Sequence, residues 1–147
     1  MGEKNGEDII IGQHEQEYIK IVQGLFITYE QQGNIQEVLT HFTDDVEWRV
    51  AMPEEFPIGG IFQGLKGVQT FLENHQKMFD IEWDEQLETF AQGNRVVVIG
   101  RERARIMPHN NIYEGDYAMV FRFRGNKISK VYVLSDSAAL VKAYLGQ

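Results

Sequence analysis

Two carboxylates in this chain stand where they could do acid or base chemistry: Glu102 in "RVVVIGRERARI" and Asp136 in "KVYVLSDSAAL". Side chains of a strand alternate between faces, so Arg101, Arg103 and Arg105 fall with Val97 and Ile99, while Glu102 falls with Val96, Val98, Gly100, Ala104 and Ile106. A carboxyl alone among small and apolar neighbours is desolvated, which raises its pKa toward that of a working general acid or base. The competing arrangement is a cross-strand ion pair with an arginine such as Arg122. If Asp136 entered the same apolar cavity, the two acids would be pushed to different pKa values and could divide acid and base roles. "SDSAAL" also reads as a helix start, with Asp136 or Ser137 as its N-cap.

The other polar candidates are few. The three arginines read as an exposed or dimer-facing ladder neutralised by Asp84, Glu85 or Glu88 on the neighbouring strand, with an anion clamp as the alternative. His41 and His75 fall in helices, His14 and His109 near surface segments, and His75 on an apolar stripe is the one that could reach a cavity. No HxH, HExxH or glycine-rich GK[ST] pattern occurs and there are no cysteines, so no metal, nucleotide or other cofactor is expected.

The elements that must position these groups follow from periodicity. Tyr18, Val22, Leu25, Phe26 and Tyr29 form one helical stripe that Gly33 ends, and Asn34 with Glu37 starts a short second helix. "VEWRVAM" alternates as a strand, and "GVQTFLENHQKMF" returns to helical spacing. From residue 81 four long strands follow: "IEWDEQLETFAQ", "RVVVIGRERARIM", "IYEGDYAMVFRFR" and "KISKVYVLSD". Hairpin-type turns such as Gly125-Asn126 separate them before the terminal helix "SAALVKAYLG". Helices gathered on one side of a mostly antiparallel sheet predict an α+β domain, and a sheet that curls would enclose a hollow with them. With a two-residue loop at Gly125-Asn126, Tyr117, Met119 and Phe121 share a face with Tyr132 and Leu134; one bulge would exchange the faces.

Length and charge bound the rest. The 147 residues suit one core, read as a single domain over 13–147 behind a flexible tail over 1–12. The net charge of −8 with scattered basic residues argues against nucleic acid as a partner. The start of the chain lacks a basic, then apolar, secretory pattern, and no apolar run approaches the ~20 residues of a membrane span, so a cytoplasmic protein without a membrane partner is expected. Aromatic residues at 12% can fill a core or line a cleft for a small apolar molecule.

The ordered motifs "YEQQGNIQEVLTHFTDDVEWRVA", "PIGGIFQGLKGVQTFL", "NRVVVIGRERARI" and "GNKISKVYVLSDSAAL" resemble the SnoaL-like, ketosteroid isomerase-related branch of the nuclear transport factor 2-like superfamily, from about Tyr18 to Leu145. The resemblance implies a cone-shaped fold, a curved sheet with helices on its concave face, a pocket for small and often apolar molecules, and a homodimer. It also suggests Trp48, Tyr117, Met119 and Tyr132 as pocket residues, with Tyr117 or Tyr132 steadying an enolate as a tyrosine does in isomerases of this fold. Two departures stand out. The acid that relatives such as limonene epoxide hydrolase carry falls on Val133, and a Trp, His, Trp alternation of many SnoaL-like relatives reads Tyr117, Met119, Phe121. Two functions remain: a cofactor-free isomerase, cyclase or lyase moving a proton on a carbonyl compound with Glu102 or Asp136, or a non-catalytic ligand-binding or dimerisation module of the same fold.

Overall fold

A computed structural model describes residues 14–147 in full and residues 2–13 only as helical backbone; the tail expected over 1–12 lies outside the fully described residues. Helix α1 (Gly2–Phe26) runs into a π-helical turn (Ile27–Gln31), then α2 (Ile35–Leu39). Strands β1 (Phe42–Val50) and β2 (Gly60–Gln63) precede α3 (Gly64–Met78). The remainder is β3 (Phe79–Gln92), β4 (Arg95–Ile106), β5 (Asn111–Arg124), β6 (Lys127–Ser135) and α4 (Ser137–Leu145). The six strands form one curved, unclosed sheet in the order β2-β1-β6-β5-β4-β3, antiparallel except for the parallel β1–β6 pair. This is the expected α+β architecture.

Local chemistry explains where the helices start and stop. The Asn34 side chain accepts from the Glu37 backbone N–H at 3.1 Å and the Asp136 side chain accepts from that of Ala139 at 3.2 Å, capping α2 and α4. Gly33, at φ 62°, leaves the π-helical turn through a left-handed residue that lacks a Cβ to clash. The apolar stripe of α1 packs onto the sheet: Val22 and Leu25 are buried, and Tyr18 stacks on Phe123 with centroids 4.1 Å apart while its hydroxyl donates to the Gly125 carbonyl. On α3, Val68, Phe71, Leu72 and Met78 face the same interior.

Two irregularities in the sheet decide which side chains enter that interior. In β3 the pairing with β4 shifts between Ile81 and Trp83, leaving Glu82 as an extra residue. In β6 the pairing with β5 shifts between Arg122 and Phe123, leaving Ser129 extra, with its hydroxyl donating to the Arg122 carbonyl at 3.3 Å. One extra residue reverses the inside-outside parity of everything beyond it. The first bulge brings Asp84 to the inner face with Ile81; the second does the same for Val131, Val133 and Ser135 in place of their neighbours.

Candidate functional site

The concave face and the helices enclose a cavity of about 120 Å³, several times the ~10–15 Å³ that one water needs. Its wall is mainly aromatic and aliphatic: Phe42, Trp48 and Val50 from β1, Phe71 from α3, and Met119 and Phe121 from β5 all contribute. Of the four pocket residues suggested by the sequence, Trp48, Tyr117 and Met119 line this wall. Tyr132 is not. The bulge at Ser129 sets Met119 opposite Val133 and turns Tyr132 to the other face, where the Arg49 guanidinium lies 4.9 Å over its ring.

The polar groups of the cavity come from three directions. Glu102 of β4 faces inward with Val96, Val98, Ala104 and Ile106, all fully buried or nearly so. It has no hydrogen-bond or ion-pair partner among the described residues, so the expected alternative of a pair with Arg122 does not occur. Arg122 faces outward on β5, opposite Arg95 and Lys130. Directly across from Glu102 on β3 stands Asp84, which accepts a hydrogen bond from the Tyr117 hydroxyl at 2.6 Å. Glu30, on the π-helical turn, completes a trio of acids lining the cavity. The sequence does not point to Asp84 or Glu30 as cavity acids. The first reads there as one of the acids that could neutralise the outer arginines, and the second sits in a helical segment where a glutamate looks like solvated surface. A π-helical turn in that segment is the signal that could have raised it, since such turns gather at functional sites.

Glycine shapes the floor under these acids. Gly100 pairs with Tyr117 across β4 and β5, and a Cβ there would run into the Tyr117 ring and stand 2.7 Å from the Glu85 carbonyl oxygen. Only a bare backbone lets the phenol lie across β4 to reach Asp84. Gly115, opposite Glu102, makes the same room for Tyr113, whose hydroxyl would meet an added Cβ at 2.7 Å.

Asp136 does not join Glu102. It is exposed at the start of α4 and its carboxylate is used as the cap, so the second acid of the cavity is Asp84 rather than Asp136. The three arginines do lie on the outer face, but with different partners from those expected. Arg101 pairs with Asp116 and Glu114 at 2.8 and 3.1 Å, Arg103 with Glu114 and Glu82, and Arg105 with Glu82. Asp84 is turned inward, and the bulged Glu82 takes its place.

Electrostatics follow from a cavity lining that holds three carboxyls and neither lysine nor arginine. Burial, then the nearby Asp84 charge, pushes the Glu102 carboxyl up to about 8. Burial, with Asp84 and Glu102 beside it, pushes Glu30 up to about 9. Burial also raises the Tyr117 hydroxyl, reinforced by its bond to Asp84. At the far side of the helices' contribution, His75 stacks against Phe79 with centroids 4.2 Å apart, and its Nδ1 lies 2.7 Å from the Tyr29 hydroxyl. That hydroxyl also lies 3.0 Å from the Leu72 carbonyl, to which it can donate. Burial lowers His75 to about 4, so the imidazole is neutral at pH 7.

The arrangement can hold a small apolar guest, keep a proton on Glu102 at neutral pH, and offer Asp84 as an acceptor beside it. Among the described residues no group of three or more His, Asp or Glu is placed to hold a metal ion, and no helix is long and apolar enough to cross a membrane.

Comparison with known proteins agrees with this architecture. The family model for the SnoaL-like domain matches residues 23–131. A nuclear transport factor 2-like protein from Burkholderia xenovorans is 28% identical, with a TM-score of 0.79 over 88% of this chain and 97% of that one. A protein from Bacillus subtilis described as a putative isomerase is 11% identical, with a TM-score of 0.77 over 90% and 95% of the two chains. One from Jannaschia described as a putative SnoaL-like polyketide cyclase is 15% identical, with a TM-score of 0.76 over 90% and 94%. At those last two identities the likeness is one of fold. No curated protein matches the chain.

Proposed function

The chain belongs to the SnoaL-like domain family, and from that premise we propose that its cavity binds a small, largely apolar carbonyl compound and moves a proton on it without a cofactor, as an isomerase, cyclase or lyase does. The observation that carries this reading is the opposition of Asp84 and Glu102 on neighbouring strands inside an apolar wall.

The roles follow from the hydrogen bonds. Asp84 accepts from Tyr117, which leaves it a proton acceptor aimed by a fixed phenol. Glu102, pushed up to about 8, is protonated at neutral pH and is a donor. With a carbonyl compound bound, Asp84 takes a proton from the carbon next to the carbonyl as Glu102 hydrogen-bonds the oxygen on which negative charge develops. Returning the proton to a different carbon completes an isomerisation; expelling a neighbouring group instead completes an elimination. Tyr117 positions Asp84, and the steadying of the enolate assigned to a tyrosine in the sequence passes to Glu102, because the phenolic proton is already engaged.

The test is exchange of substrate protons with solvent. Small alicyclic and aromatic ketones incubated with the protein in heavy water should take up deuterium next to the carbonyl, as followed by NMR. Glu102→Gln and Asp84→Asn should each reduce the rate by about 10²-fold or more, and Asp136→Ala should leave it unchanged. Binding of such ketones with no uptake of deuterium would instead support a non-catalytic binding module.

A further inference from the structure

We propose that the guest of this cavity carries a positively charged nitrogen, an amine or quaternary ammonium, set in an otherwise apolar body. This rests on the cavity being the ligand site and deepens that reading by naming the chemical class of the guest.

Three observations converge on it. Glu30, Asp84 and Glu102 reach the cavity from three separate elements, and its lining supplies no lysine or arginine to offset them. The cations nearest in sequence, Arg101, Arg103 and Arg105, project from the opposite face and are engaged by Glu82, Glu114 and Asp116. Glu102 itself has no hydrogen-bond or ion-pair partner among the described residues, although it faces the buried inner side of β4. Its carboxyl is unmatched, and it lies on the cavity wall.

The rest of the wall suits the same guest. Trp48, Phe71, Phe79 and Tyr117 line the space, and aromatic rings attract a cation through the negative quadrupole of their faces. An anionic guest would meet three acids. A neutral one would leave Glu30 and Glu102 holding their protons, whereas a cation beside them favours their ionised form and gains an ion pair with it. A cation satisfies both halves of the wall at once, the rings through its apolar body and the carboxyls through its charge.

Choline and its uncharged isostere 3,3-dimethylbutan-1-ol separate charge from shape. Calorimetric titration of the full chain at pH 7 should give choline about tenfold the affinity of the alcohol. The titratable groups that face the guest are Tyr29 and Glu30 on the π-helical turn, His75 on α3, Asp84 on β3, Glu102 on β4, and Tyr117 with Tyr113 behind it on β5. Between pH 7 and 9 the groups that change charge are Glu102 and Glu30, which become anions, so choline should tighten over that range while the alcohol does not. At pH 9, where Glu102 is ionised, Glu102→Gln should remove most of the preference for choline, with its urea unfolding curve showing that the variant is folded. Glu114→Gln on the outer face should change neither. Equal affinity for the two isosteres, or no binding of choline, overturns the proposal. If the alcohol or a neutral ketone still binds, the cavity remains a ligand site; if no compound of any kind binds, that underlying reading falls as well.

Discussion

Asp84 and Glu102 face each other across β3 and β4 on the inner side of the sheet, two acids on a shared wall whose lining offers no basic side chain except the neutral His75. Soluble folds rarely keep carboxyls in such a place without a matching cation or hydrogen-bond donors. Here Asp84 has a donor in Tyr117 and Glu102 keeps its own proton. Proton transfer and cation recognition both proceed from this one relationship.

Stability should fall as the pH rises. Glu102 and Glu30 have folded-state pKa values raised to about 8 and about 9 from 4.5, so above pH 4.5 the unfolded chain has released protons that the folded chain still holds. Each group therefore lowers stability as pH increases, by up to ~1.4 kcal/mol per unit, until its folded pKa is passed. Urea unfolding at pH 6 and pH 8 should show Glu102→Gln losing less stability over that interval than the wild type. Parallel losses in the two proteins would mean that Glu102 is not desolvated.

His75 should act in the opposite direction on the acid side. Its folded pKa is lowered to about 4 from 6.5, so between those values the unfolded chain binds the extra proton and stability rises with pH. Replacement by Gln should flatten the acid limb of the stability profile between pH 4 and 6.5, measured by the same unfolding curves.

Tyr117→Phe removes the only hydroxyl that donates to Asp84 among the described hydrogen bonds. A hydrogen bond to a charged group contributes about 1.5–3 kcal/mol, and a loss of that size is expected in equilibrium unfolding. Proton exchange on bound ketones should slow through kcat more than through KM, since Tyr117 positions the base rather than the substrate. An unchanged kcat would release Tyr117 from that role.

Gly100→Ala should destabilise by about 1–3 kcal/mol through overpacking, because its methyl group runs into the Tyr117 ring. Much of the loss should vanish in the Tyr117→Ala background. A double-mutant cycle measures the coupling, and strict additivity would show that the ring does not depend on the bare backbone at Gly100.

What was legible in the sequence was whatever depends on local periodicity. The stripe from Tyr18 to Tyr29, the caps at Asn34 and Asp136, and the inward Glu102 all follow from spacing within one element. Residues whose orientation depends on pairing with another strand were not legible. Alternation from Ile81 puts Asp84 outside and alternation back from Gly125-Asn126 puts Tyr132 inside; single extra residues at Glu82 and Ser129 reverse both. A bulge leaves no mark in composition or hydropathy, so the sequence yielded one acid of the cavity and hid the one opposite. Glu30 was hidden for a related reason, because the π-helical turn rotates it off the surface that ordinary helical spacing assigns to it.

The most direct measurement is the titration of the Glu102 side-chain carboxyl, followed by carbon-13 NMR with Glu102→Gln to assign the resonance. A midpoint near 8 is expected, as for an acid facing Asp84 in an apolar cavity with no cation beside it. A midpoint in the ordinary glutamate range, close to 4.5, would mean that water or a positive group reaches Glu102, and the proton transfer assigned to it would not stand.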